Sequence, residues 1–339
     1  MSNLGKGQAH FQVGAVSERP YLPPPDRQQS HNQTTPSPKS WYNVIVLMAK
    51  SRRLESNIED STCYVTATAR VSLSGAKDGS WIRLFQLDVA RSLAAQLVLA
   101  VDYAHAKGIV HGDIHLGNIL LKVPLKFDLF SVDKLYEKYG APELEPVVRL
   151  DGNPDSNPLP PGVPSRAITP IWLGEASEQI TLAEARILLT DFDEAFSPPN
   201  ELRYESRIPL VLRPTRRGCL ATEDDMTCEH VDTLGVLPPE WWKKWEARQD
   251  NFTEDGKPIN RAYNDFQSWD DRFKDSVERP RRDKGIPSFD AKETDAIFDM
   301  LQPMLSFRPE DRPSTKQILE SEWMVKWALP EYGKIENNI

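Results

Sequence analysis

VHGDIHLGNILL, residues 110–121, places two histidines, an aspartate and an asparagine within eight residues, between two short apolar runs. The flanks read as strands, and polar residues crowded between strands read as a reactive loop. An Asp in such a loop can accept a proton from an attacking hydroxyl, and an Asn five residues on can turn back to offer an oxygen to a metal ion. His111 and His115 would form a metal pair at their i, i+4 spacing only on a helix, and Gly112 disfavours one.

Outward from the loop, the apolar positions Ala90, Leu93, Ala94, Leu97, Val101 and Ala104 recur at helical spacing through Leu87–Lys107. Gly108 then stands where a helix C-cap belongs. Downstream, RILLT (186–190) is a buried strand pattern that stops abruptly at DFD (191–193), and residues 151–170, with six prolines, read as a surface insertion. Toward the N-terminus, TCYVTATARVSL (62–73) reads as a strand running into a connector, and WYNVIVLMA (41–49) as a strand or short buried helix. Residues 1–40 are rich in Pro, Gln, Ser and Asn and read as a disordered tail. Toward the C-terminus, Trp241, Trp242 and Trp245 form a cluster best explained by core packing. DAIFDMLQPML and STKQILESEWMVKWAL then read as two closing helices.

Composition bounds the rest. The 339 residues carry a net charge of −9, which argues against non-specific nucleic-acid binding. Three cysteines, Cys63, Cys219 and Cys228, have neither disulfide-framework nor zinc spacing and point to a reducing compartment. No apolar run approaches the length of a membrane span, and the N-terminus has no signal-peptide core. The expectation is an intracellular protein, cytoplasmic or nuclear, with no direct contact to nucleic acid or membrane.

His111-Gly112-Asp113 followed by Asn118 resembles the catalytic loop of the protein-kinase-like superfamily, whose common form has Arg at the position of Gly112. LLTDFDEAF (188–196) resembles the strand and Asp-Phe-Gly signature of the same superfamily, with Asp193 in place of Gly. MLSFRPEDRPSTKQILESEWM (304–324) resembles the last helical subdomain of a protein kinase. RYESRIPLVLRPTRRG (203–218) and LPPEWWKKWEAR resemble the activation-segment end and a tryptophan-rich stretch of fungal kinases similar to SR-protein kinases. The likeness covers about residues 62–330.

The resemblance implies ATP and Mg2+ as cofactors and a protein substrate, possibly Arg/Ser-rich. It implies Asp113 as catalytic base, His111 as a brace for the loop, and Asn118 and Asp191 as magnesium ligands. It also places His115 where protein kinases usually carry the Lys that steadies the transferred phosphate, and implies Thr66, in the hinge-like strand, as a nucleotide contact. Gly112 implies independence from a phosphorylated activation loop, since the usual Arg contacts that phosphate. The implied fold is α+β and mostly α: a kinase large lobe over 81–330, a remnant of the small lobe over 41–80, and a tail over 331–339.

Two parts of the family pattern are missing. No G-x-G-x-x-G precedes residue 110, and Lys50, the strand-placed lysine, lies 13 residues before Cys63, too few for the intervening helix and two strands. After Pro214 the Glu and the Asp-x-Trp of the central buried helix are also absent, so Arg312 is expected to turn to Glu310, Asp311 or water. These gaps keep a catalytically impaired scaffold as the alternative to an active serine/threonine kinase. Gly112 and His115 keep a small-molecule phosphotransferase of the aminoglycoside type as a further one.

Overall fold

The computed structural model describes residues 67–124, 126–147, 163–169, 171–199, 222–259 and 269–336. It is helix-rich with two small antiparallel sheets, and it divides into two compact units. The smaller takes in residues 125–173; the larger holds 64–124 and 174–339.

The larger unit begins with strand β1 (Ala69–Ser72), and Ser72 caps helix α1 (Leu73–Asp78) by accepting the Gly75 N–H at 3.0 Å. The strand foreseen over 62–73 therefore yields to a helix at Leu73. Helix α2 (Leu87–Ala106) ends where Gly108, at φ +71°, takes the left-handed turn that Gly tolerates best. Strand β2 (Ile119–Lys122) then pairs with β1 across a bulge between Ala69 and Val71.

In the smaller unit, Ser131 caps α3 (Val132–Tyr139), and β3 (Leu144–Pro146) pairs with β4 (Arg166–Ile168) in an antiparallel hairpin. Most of the proline-rich stretch foreseen as an insertion over 151–170 lies outside the described residues. No residue described in the smaller unit is buried.

Back in the larger unit from residue 174, the chain forms β5 (Ile187–Leu189), whose three side chains are all fully buried. Its pairing with β2 sets Ile119 opposite Leu189 and Leu121 opposite Ile187, giving the sheet order β1-β2-β5. Gln96 ties α2 to this sheet, donating to the Ala185 carbonyl at 2.5 Å and accepting the Ile187 N–H at 3.2 Å. Both ends of a buried amide are thereby satisfied.

A capping box of Thr222 and Asp225 starts α4 (Glu223–Leu234), followed by α5 (Pro239–Trp242) and α6 (Arg248–Asn251). Trp242 and Trp245 pack with Cys228, Val231 and Phe252, so two members of the tryptophan cluster are core, while Trp241 is 39% exposed beneath Arg308. Helices α7 (Trp269–Phe273) and α8 (Arg279–Asp283) flank a π-helical turn, and α9 (Ala291–Met304) is capped by Asp290. The segment foreseen as one closing helix breaks at Glu320, giving α10 (Thr315–Leu319) and, after a second π turn, α11 (Leu329–Glu336).

Helix α11 is a correction to the expected tail: Ile335, 3% exposed, joins the core of α2 and the sheet. α2 is the common element of two cores. Val89, Leu93, Ala100 and Ala104 pack toward the sheet, and Ala95 packs with Ile297, Ile318 and Met324 of the closing helices. Arg312 is exposed, and its guanidinium donates to the carbonyls of Ser306 at 2.7 Å and Phe307 at 3.4 Å. Neither Glu310 nor Asp311 is its partner; the backbone turn before it presents acceptors closer to hand. Among the described residues, no helix is long and apolar enough to cross a membrane.

Candidate active site

The left-handed turn at Gly108 sends the chain from α2 into a two-residue bridge. Val110 and Phe196 exchange backbone hydrogen bonds at 2.8 and 3.0 Å. That bridge joins the 111–118 loop to the segment after β5, so residues 78 apart in sequence share one frame.

His111 braces this frame. It is 2% exposed, its ring lies 4.4 Å from that of Phe192, and its Nδ1 accepts the Asp113 N–H at 3.3 Å. Nε2 therefore carries the proton and donates to the Thr190 carbonyl at 2.9 Å. With both ring nitrogens engaged, His111 offers no metal ligand. Burial holds it below the ordinary histidine range, against the raising effect of the Thr190 carbonyl and the carboxylates of Asp113 and Asp191.

A histidine depressed in the folded state binds fewer protons there than when unfolded, so its contribution is whole above the unfolded value, roughly pH 6.5, and is lost as pH falls below it. Urea denaturation should show stability falling as pH drops below about 6.5, and His111→Asn should flatten part of that fall. An unchanged pH slope in the variant would contradict this account.

Gly112 adopts φ +84°, and a Cβ there would lie 2.4 Å from the Glu194 carbonyl oxygen. The departure from the family's Arg thus has a local steric cause: two backbones approach too closely for any side chain. Asp113 follows. One carboxylate oxygen, Oδ1, is buried without a hydrogen-bond partner, while Oδ2 faces Asn118 Nδ2 at 3.4 Å and His115 Nε2 at 3.7 Å. A buried carboxylate oxygen without a donor is costly, and a substrate hydroxyl would supply the missing donor.

His115 accepts the Gly117 N–H on Nδ1 at 3.0 Å, which places its proton on Nε2, toward Asp113. A Cβ on Gly117 would fall 2.7 Å from the ring, so a larger residue there would push His115 aside. Asn118 is buried and gives its amide N–H to the Asp113 carbonyl at 3.0 Å, which leaves the amide oxygen as the atom able to meet a cation.

The register of β2 and β5 continues one step past Ile119 and Leu189. Thr190 donates both its N–H, at 2.9 Å, and its hydroxyl, at 3.1 Å, to the Asn118 carbonyl. Asp191 is next, exposed and at φ +65°, a left-handed conformation uncommon for non-Gly residues and better tolerated by Asp than by most. Asp193, which stands where the signature it resembles has Gly, is not at positive φ. The positive φ falls two residues earlier.

The structure thus draws Asp113, His115 and Asn118 into one hydrogen-bonded group and sets Asp191 at the end of the adjoining strand. Thr66, Lys50 and the 203–218 segment lie outside the described residues. Thr190 was not legible in the sequence as part of the site; the pattern "LLTD" marks a strand end but not a double anchor. Among the described residues, no group of three His, Cys, Asp or Glu side chains could hold a metal ion. Two oxygen donors such as Asn118 and Asp191 suit magnesium, which takes few protein ligands and completes its shell with phosphates and water.

No protein-family model and no curated protein matches the chain. Among solved structures, a Plasmodium kinase domain is similar over 76% of this chain and 71% of its own length, at 13% identity and a TM-score of 0.39. A likeness this loose carries no weight for activity or ancestry.

Proposed function

We propose that the chain is a phosphotransferase of the protein-kinase type, moving the terminal phosphoryl group of ATP to a serine or threonine hydroxyl. The observation that carries this reading is the junction of the two loops. Thr190 holds the Asn118 backbone while Asp113 keeps a buried, unpartnered carboxylate oxygen beside it. Asp113 accepts the hydroxyl proton and orients the attacking oxygen. His115 Nε2–H is placed to steady negative charge beside that carboxylate. Asn118 and Asp191 would hold magnesium, whose role when bound is to neutralise the charge of the transferring phosphoryl group. Positioning and charge are most of what such a reaction asks of a protein.

The net charge of −9 suits a basic protein substrate, and an Arg/Ser-rich peptide is the first to try. A scaffold with little turnover is the second reading. It is favoured by the absence of a G-x-G-x-x-G before residue 110 and of a convincingly placed phosphate lysine. The backbone contact of Gly112 with Glu194 asks for Gly whichever acceptor the loop serves, and does not separate peptide from small-molecule transfer.

Thermal melting with ATP, with and without Mg2+, tests the site directly. The wild-type chain should gain stability only when both are present, and Asp191→Asn should lose that gain. Asp113→Asn should keep it while peptide phosphorylation falls by about a hundredfold to ten-thousandfold. Magnesium-dependent binding without any transfer would establish the scaffold reading. The absence of any response to nucleotide would reject both.

A further inference from the structure

A cavity of about 840 Å³ lies apart from the catalytic loop, walled by α4, the turn after it, the start of α7 and the end of α9. That volume falls within the roughly 300–1,000 Å³ of small-molecule sites. Its walls include Leu234, Leu237, Trp241, Trp245, Trp269 and Phe307, so apolar and aromatic side chains make up much of the lining. Trp245 gives its single donor to Asp224 at 2.7 Å and can meet a ligand only through its ring. Thr227 and Thr233 turn their hydroxyls onto the carbonyls of Glu223 and Glu229 in their own helix. Polar recognition is left to the charged side chains.

Basic side chains, Lys244 and Arg312 among them, line the cavity. Arg312 is held in place by the Ser306 and Phe307 carbonyls, so part of its guanidinium is positioned in advance. We propose that this cavity binds a planar aromatic monoanion, its ring system among the indoles and its carboxylate or similar group at the basic side chains. Flat rings stack well on indole faces, and a carboxylate meets Arg and Lys through charge-assisted hydrogen bonds. Nothing in this inference depends on phosphoryl transfer, because none of the 111–118 or 190–196 residues lines the cavity.

The test uses the full chain with 2-naphthoate and its neutral counterpart 2-naphthamide, followed by calorimetry and by quenching of tryptophan fluorescence. The carboxylate should quench and bind about tenfold more tightly than the amide. Lys244→Gln and Arg312→Gln, checked for native circular dichroism, should each weaken the carboxylate several-fold and leave the amide unchanged. Failure of naphthoate to bind at millimolar concentration, equal affinity for the two compounds, or undiminished binding in both variants would overturn the proposal. Should the variants fail to fold, the carboxylate-to-amide ratio on the wild-type chain still decides it.

Discussion

Glu293→Ala should destabilise the larger unit by about 3–5 kcal/mol, the usual cost of breaking a buried ion pair from one side. Glu293 is 1% exposed and sits in the first turn of α9, where the helix dipole favours a carboxylate. It accepts from Arg91 of α2 through two parallel bonds, Nε at 2.7 Å and Nη2 at 2.5 Å, and also from Trp323 Nε1 at 3.1 Å. One carboxylate thus holds α2, α9 and the segment between α10 and α11. The hydrogen bonds that Arg91 donates to Glu293, more than the carboxylate's charge, hold its guanidinium above its ordinary range.

Removing Glu293 leaves the indole N–H unsatisfied and Arg91, whose side chain is 17% exposed, with only Glu331 at 3.9 Å. Glu293→Gln keeps the shape but not the charge and should fall between the two. Urea unfolding measures both. A Glu293→Ala variant within about 1 kcal/mol of wild type would show that the three segments are held by apolar packing alone.

Gly112→Arg, which restores the residue usual in kinases, should abolish whatever chemistry the loop performs. The φ of +84° disfavours any side chain, and the Cβ contact of 2.4 Å with the Glu194 carbonyl is impossible without moving one loop off the other. Left-handed backbone alone costs roughly 1–3 kcal/mol for a non-Gly residue, and displacement of Asp113 by an ångström can cost about a hundredfold in rate. Gly112→Ala should show most of the same loss, because the clash begins at Cβ. Peptide phosphorylation and urea unfolding are the measurements. An Ala variant with wild-type stability would mean that the loops separate without penalty.

The loop residues were legible because the reaction proposed for them would demand particular groups at short, fixed spacing. His111, Asp113 and Asn118 stand within one loop, and Asp191 closes a recognisable strand. α2 was legible for a different reason: its apolar positions repeat at the helical period. The tail at 331–339 was misjudged because LPEYGKIE carries only one strongly apolar anchor late in the helix, and Ile335 declares itself core only when α2 lies against it. The partner of Arg312 escaped for a similar reason. Carbonyls of a turn compete with nearby carboxylates, and no sequence pattern says which way the guanidinium will swing.

Residue type and spacing by themselves determined which atoms could do chemistry: the carboxylates of Asp113 and Asp191, the amide of Asn118, and the long helix leading to them. Tertiary structure alone decided that the two loops carrying these atoms adjoin. The β2–β5 register brings Thr190 onto Asn118 across an excursion of more than sixty residues. The Val110–Phe196 bridge presses Gly112 against Glu194. The physical reason is that side-chain chemistry is local to each residue, whereas strand pairing and backbone approach depend on which distant segments share a buried core.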